Sequence, residues 1–89
     1  MTLTFQETKQ LYYCVLRMPK DDAYFVYFTL ESNEGLCFYS TLDDSLKGQY
    51  RDMELKCPIE LSGHLKELIS RLQQDIRLDI LEEKIIQDS

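Results

Sequence analysis

The 89-residue sequence predicts a single α+β domain, in the order strand, helix, strand, strand, helix, strand, with a four-stranded antiparallel sheet and two helices on one face. Three observations predict this class. Gln10–Met18 is a bulky, β-rich run that ends at Pro19. Tyr50–Cys57 alternates between apolar and polar residues, as a half-buried strand does. A later segment carries an apolar stripe at helical spacing, formed by Leu61, Leu65, Leu68, Ile69 and Leu72.

The first helix is predicted within Asp21–Gly35, where the pattern leaves two alternatives open. Residues 24–28 are apolar at every position, and a strand buried on both faces is hard to cover in so small a chain. Helical spacing instead puts one set of residues on a single face, namely Ala23, Val26, Tyr27 and Leu30. Paired aspartates suit the start of that helix, and Gly35 suits a left-handed residue after its end. The sequence Ser32–Gly35 also fits a hairpin turn between two strands.

The next elements are a strand, a loop and a second strand. Leu36–Leu42 contains no helix or strand breaker and is predicted as a strand, and Asp43–Gln49 is predicted as the loop that follows. Together with Tyr50–Cys57 they predict a hairpin. Ser62 is predicted as the N-cap of the second helix.

The end of the sequence is ambiguous between a strand and a longer helix. Residues 76–81 alternate and favour a closing strand, but the run from Leu65 to Gln87 contains no Gly or Pro. The alternative fold is therefore a four-stranded meander followed by one long C-terminal helix. The favoured domain spans residues 10–83, after a lead of residues 1–9 and before a tail of residues 84–89.

Four short motifs and their spacing carry a family resemblance. They are the PKDDAY of Pro19–Tyr24, the ExxEGL of Glu31–Leu36, the TLD of Thr41–Asp43 and the LDILEE of Leu78–Glu83. In these motifs and in its Leu-rich second helix, the sequence resembles a group of small bacterial domains with an ACT-like, ferredoxin-like layout. The resemblance implies that Asp21–Gly35 is helical, and it implies no particular function.

ACT domains themselves bind amino acids or similar metabolites where a glycine-containing loop after the first strand meets a neighbouring subunit. By that resemblance, the candidate ligand-binding residues of this chain are Arg17, Lys20, Asp21 and Asp22. The sequence departs from the pattern because this loop contains no glycine. Small-metabolite sensing at the loop and the subunit interface is therefore the alternative function.

Charge and hydropathy exclude two classes of partner. The formal net charge is −6, and the Lys and Arg residues are scattered singly, which argues against nucleic acid and against anionic membrane surfaces. The N-terminal residues lack the pattern of a signal peptide, and no apolar run reaches the length of a membrane span.

The cysteines predict reduced thiols in a cytoplasmic protein. Cys14, Cys37 and Cys57 are odd in number and lack a CxxC spacing, so neither a disulfide framework nor a zinc site is expected, even with His64 as a fourth ligand. No metal and no cofactor are predicted.

The first function hypothesis is a non-catalytic interaction or regulatory module. The sequence shows no nucleophile motif and no glycine-rich phosphate loop, and the adjacent aspartates Asp21–Asp22 and Asp43–Asp44 suit turns better than acid–base catalysis, so an enzyme is not expected. The module would act by self-association or by docking a partner protein, with a homodimer formed through the sheet or an edge strand. A tyrosine-lined sheet face is the candidate partner surface, formed by Tyr12, Tyr13, Tyr39 and Tyr50.

Overall fold

A computed structural model describes residues 9–42 and 48–88. The elements are strand β1 (Lys9–Pro19), helix α1 (Lys20–Ser32), strand β2 (Phe38–Thr41), strand β3 (Tyr50–Pro58), helix α2 (Ser62–Asp75) and strand β4 (Asp79–Asp88). A 3₁₀ turn, Ile59–Leu61, joins β3 to α2. The predicted lead lies outside the described residues except for Lys9, and the predicted loop does so except for Gly48 and Gln49.

The four strands form one antiparallel sheet in the order β2-β3-β1-β4. In the centre of the sheet Leu16 of β1 lies opposite Met53 of β3, and on the other side Leu11 lies opposite Ile86 of β4. This is the βαββαβ arrangement of a ferredoxin-like fold, so the predicted fold class is confirmed. The alternative, a meander followed by one long helix, is wrong because a helix follows β1 and a strand ends the described chain.

The core lies between the helices and one face of the sheet. Alternate residues of β1 point into it, and so do alternate residues of β3, since side chains along a strand alternate between faces. The sheet contributes Tyr12, Cys14, Leu16, Met18, Met53, Leu55 and Cys57. The helices contribute Ala23, Val26, Leu30, Leu65, Leu68, Ile69 and Leu72, as predicted. The other two residues of the predicted stripes, Tyr27 and Leu61, are partly buried against this core, and Leu61 lies in the 3₁₀ turn. Within the described residues, no helix is long and apolar enough to cross a membrane.

Helix α1 begins directly after β1, and a glycine turn follows its end. Asp21 and Asp22 lie in its first turn, where carboxylates favour the positive end of the helix dipole, and no side chain caps it. Beyond the helix, the Leu36 amide donates a hydrogen bond of 3.1 Å to the Asn33 carbonyl. Gly35, the third residue of this turn, has a φ of +82°, as a type II turn requires.

Two glycines with equal space around them predict opposite effects of alanine. A Cβ atom at either Gly35 or Gly63 would meet no atom within 4 Å, so the backbone conformation alone decides the result. Gly35→Ala is expected to lower the free energy of unfolding by about 1–2 kcal/mol, because Ala is strained at positive φ. Gly63→Ala, at the second residue of α2, is expected to raise it by roughly 0.4–1 kcal/mol, because Ala restricts the unfolded chain. Urea unfolding of the two variants measures both, and a destabilising Gly63→Ala would contradict the explanation.

After α1, the fold differs from the prediction at β2, at Ser62 and at β4. Ser62 is not the N-cap of α2, because Leu61 holds that position and the Ser62 hydroxyl donates to the Ile59 carbonyl at 2.8 Å. β2 is shorter than the predicted strand 36–42. β4 begins at Asp79, later than predicted, and continues through residues assigned to a tail, where Gln87 lies opposite Gln10.

Candidate functional site

Helix α1 has two apolar faces, and only one of them is buried. Ala23, Val26 and Leu30 point into the core. On the opposite side three aromatic side chains face solvent: Tyr24 is 76% exposed, Phe25 43% and Phe28 65%. We call these three residues the aromatic face of α1. The sequence pattern did not single out this face, although the helical period that buries Ala23 and Val26 also turns the three aromatic residues outwards.

The two hydroxyl groups next to the aromatic face form hydrogen bonds within the helix. The Thr29 hydroxyl donates to the Phe25 carbonyl at 2.8 Å, and the Ser32 hydroxyl donates to the Phe28 carbonyl at 2.9 Å. Asp21, one turn before Tyr24, borders the face and lines a shallow, open hollow with the three aromatic residues. What the face offers a partner is therefore ring surface, with a carboxylate at one end.

Contacts with the sheet hold α1 in a fixed orientation. The rings of Tyr27 and Tyr39 lie 5.7 Å apart, and the Tyr27 hydroxyl is hydrogen-bonded to Thr41. The Tyr39 hydroxyl donates to the Glu31 carboxylate, which raises the pKa of Tyr39. These contacts join α1 to β2, so the aromatic face is presented by an anchored helix.

The four tyrosines predicted as a partner surface do not lie together. Tyr12 and Tyr39 point to the helix side of the sheet, where Tyr12 is 4% exposed and its hydroxyl donates to Glu83 Oε1 at 2.7 Å. Burial and that hydrogen bond raise the pKa of Tyr12. Tyr13 and Tyr50 lie on the other face of the sheet, across from Lys56 and Pro19 respectively.

That open face of the sheet is largely polar. The Tyr13 hydroxyl donates to Glu54 Oε2 at 2.9 Å, and the Lys84 ammonium lies 5.2 Å from the centre of the Tyr13 ring. Burial and the Glu54 hydrogen bond raise the pKa of Tyr13 to about 12. Phe38 on the edge strand β2 is a strongly exposed aromatic side chain of this face, at 79%. Phe38 therefore provides a matched control for the aromatic face of α1.

The predicted ligand loop is absent from the fold because β1 and α1 are contiguous at Pro19 and Lys20. The Arg17 guanidinium lies on the open face of the sheet and binds both carboxylate oxygens of Asp52, at 2.8 and 2.9 Å. This hydrogen bonding raises the pKa of Arg17. Asp21 belongs to the border of the aromatic face. The structure therefore places two of the predicted ligand residues, Arg17 and Asp21, on different surfaces.

The two edge strands of the sheet differ in their protection. β4 contains a register shift opposite Val15 and Leu16, and charged residues occupy half of its ten positions. Bulges and charges on an edge strand oppose pairing with another sheet. β2, with the sequence FYST, is uncharged but has only four residues. Neither edge offers a long, flat, apolar strand for self-association.

The cysteines are packed among core residues. Cys14 and Cys57 are free thiols with no exposed surface, and Cys37 is a half-buried free thiol. Burial raises the pKa of Cys14 to about 11 and that of Cys37 to about 12. At neutral pH these groups are protonated and poor nucleophiles. Across residues 9–42 and 48–88, no three His, Cys, Asp or Glu side chains are grouped closely enough to hold a metal ion.

Comparisons of this chain with protein-family models, with curated proteins and with solved structures find no match. Its surfaces therefore supply the observations that bear on function. Among the surfaces described above, the aromatic face of α1 combines a fixed geometry with side chains that bury favourably against another molecule.

Proposed function

We propose that this chain is a non-catalytic interaction module that docks a partner protein through the aromatic face of α1. The observation that carries the proposal is the exposure of Tyr24, Phe25 and Phe28 on one side of a helix whose other side is already packed. Soluble monomers seldom expose contiguous apolar patches without a use for them, and aromatic residues are enriched at protein interfaces.

The energetic benefit of covering this face is large for so small a surface. Complete burial of a phenylalanine side chain contributes roughly 1.5–3 kcal/mol. Tyr24 and Phe28 retain most of their surface for that purpose, whereas Tyr12 has already lost its own to the core. Because α1 is tied to β2 by Tyr27, little ordering of the helix opposes docking.

Several described groups that could serve in catalysis are engaged in contacts within the fold. Arg17 binds Asp52, and the carboxylates of Glu54 and Glu83 accept hydrogen bonds from tyrosines. The raised pKa values of Cys14 and Cys37 remove their thiolates at neutral pH. Free thiols at all three cysteines also support a cytoplasmic location for the module.

Site-specific photocrosslinking in the cells that naturally express the chain tests the proposal. Phe28 is replaced by p-benzoylphenylalanine, and Phe38 is replaced in a matched variant that carries the same probe at another strongly exposed aromatic position. We expect a protein adduct from position 28 and none of the same mass from position 38. The mass of the adduct distinguishes a different partner protein from a second copy of the chain. If position 28 gives no adduct, or if both positions give the same one, the aromatic face is not the docking site.

A further inference from the structure

We infer that the segment docking on the aromatic face of α1 is an amphipathic helix whose polar side is rich in Lys and Arg. This inference rests on the proposed function and adds the chemistry of the partner. Two observations support it. The aromatic face lies in the acidic segment of the chain, and its rings have the spacing of a helix-packing ridge.

In the sequence, the net charge lies in the segment 21–46, which contains β2 and all of α1 after Lys20. From Asp21 to Leu46 the sequence contains six Asp or Glu and no Lys, Arg or His. The rest of the chain has ten Asp or Glu and ten Lys or Arg, so its charges balance. The whole formal charge of −6 therefore belongs to the segment that carries the aromatic face.

The described carboxylates of this segment are not neutralised by a described cation, although Glu31 accepts a hydrogen bond from the Tyr39 hydroxyl. Asp21 and Asp22 lie in the first turn of α1, Glu31 lies in its last turn, and Glu34 follows the helix. None of the four forms an ion pair with another described residue. The last turn of α1 also contains no basic residue, although the negative end of a helix dipole favours one. Cations from a partner would therefore meet a carboxylate without a cationic partner at either end of the aromatic face.

Three other occupants fit this charge poorly. A second copy docked through the same face would bring together two sets of the carboxylates at the ends of α1, and like charges across an interface are destabilising. Anionic lipid surfaces and nucleic acids are repelled for the same reason. A basic protein segment, in contrast, carries the opposite charge and is attracted to these carboxylates.

The shape of the face favours a helix as the docked segment. Tyr24 and Phe28 are four residues apart and form a ridge along α1, while Phe25 and Phe28 are three residues apart. Ridges of this spacing pack into the grooves of a second helix. Arg or Lys at the border of that helix would reach Asp21 or Glu31, or lie over the Tyr24 ring as a cation–π contact.

A synthetic peptide tests the inference with the full-length chain. The probe is a fluorescently labelled helical peptide with Leu on one side and Arg on the other, and binding is followed by fluorescence anisotropy. We expect saturable binding that weakens by at least about tenfold in each of Tyr24→Ser and Phe28→Ser, which corresponds to about 1.4 kcal/mol. Phe38→Ser, a substitution of a strongly exposed ring on the open face of the sheet, is expected to leave binding unchanged.

Two altered peptides separate the apolar and electrostatic contributions. A peptide of the same composition with Leu and Arg scrambled keeps the charge and loses the apolar side. A peptide with Glu in place of Arg keeps the apolar side and reverses the charge. We expect both to bind at least about tenfold more weakly than the probe, and raising the ionic strength from about 0.05 to about 0.3 M to weaken binding of the probe.

The inference and the proposed function can fail separately. Equal binding of the scrambled or the Glu peptide, or equal loss in Phe38→Ser and Phe28→Ser, would overturn the inference. So would a crosslinked adduct at position 28 with twice the mass of the chain, which would leave the docking function standing and make the partner a second copy. An absent adduct at position 28 would remove the proposed function itself.

Discussion

Replacing Leu65 by alanine is expected to lower the free energy of unfolding by about 2–5 kcal/mol. Leu65 is fully buried and belongs to the core between α2 and the sheet. The substitution removes three carbon atoms from a packed site and leaves a cavity that the neighbours fill only in part. Since small domains have about 5–15 kcal/mol in total, the loss is a large share of the stability. Urea unfolding measures it.

A matched leucine on the surface serves as the control. Leu81 of β4 is 46% exposed, so Leu81→Ala is expected to change the free energy of unfolding by less than about 0.5 kcal/mol. If Leu65→Ala fails to fold, Leu65→Met tests the same site with a nearly conserved volume and an expected cost below about 1.5 kcal/mol. Equal effects of alanine at positions 65 and 81 would contradict the core described here.

Raising the pH above 9 is expected to destabilise the folded chain. Burial raises the pKa of Cys14 from 9.0 to about 11, and that of Cys37 from 9.0 to about 12. Between these values the thiols are protonated in the folded chain and ionised in the unfolded chain, so the folded chain binds more protons. Its stability is complete below pH 9 and falls as the pH rises to about 11 for Cys14 and about 12 for Cys37. Each group contributes a slope of about 1.4 kcal/mol per pH unit within its window.

Single substitutions identify the groups responsible. Cys37→Ala removes one titrating group and should make the fall in stability between pH 9 and 12 shallower. Tyr13→Phe should do so over a narrower range, because the pKa of Tyr13 is raised from 10.0 to about 12. Thermal unfolding in the presence of a reductant, which prevents disulfide formation, measures each profile. Profiles that remain parallel to the original would show that these groups do not cause the pH dependence.

The sequence predicted the fold well where a single pattern dominates. Met53, Leu55 and Cys57 alternate with polar residues, and all three are buried in β3. The stripe of α2 was equally regular, and its leucines form the core as predicted. For Asp21–Gly35 the residue pattern left helix and strand open, and the family resemblance favoured the helix that is observed.

The four tyrosines of the predicted partner surface are separated for a geometric reason. Tyr12 and Tyr13 are adjacent in a strand, and adjacent strand residues point to opposite faces. They could therefore never share a surface in β1. Tyr39 contacts Tyr27 and Glu31 of α1, and a strand pattern does not reveal contacts between a strand and a helix. The aromatic face of α1 follows from the same helical period. Once Ala23, Val26 and Leu30 are buried, Tyr24, Phe25 and Phe28 must point away from the core.

The pairing of β1 with β4 also determines how this domain can be carried by another protein. Lys9 lies directly opposite Asp88 in the sheet, so the described chain enters and leaves at the same point. Paired residues of antiparallel strands are only about 5 Å apart at their Cα atoms. A host protein could therefore accept the domain within a surface loop without separating the two ends of that loop. The grafted domain would keep its own core and would display the aromatic face of α1 from the surface of its host.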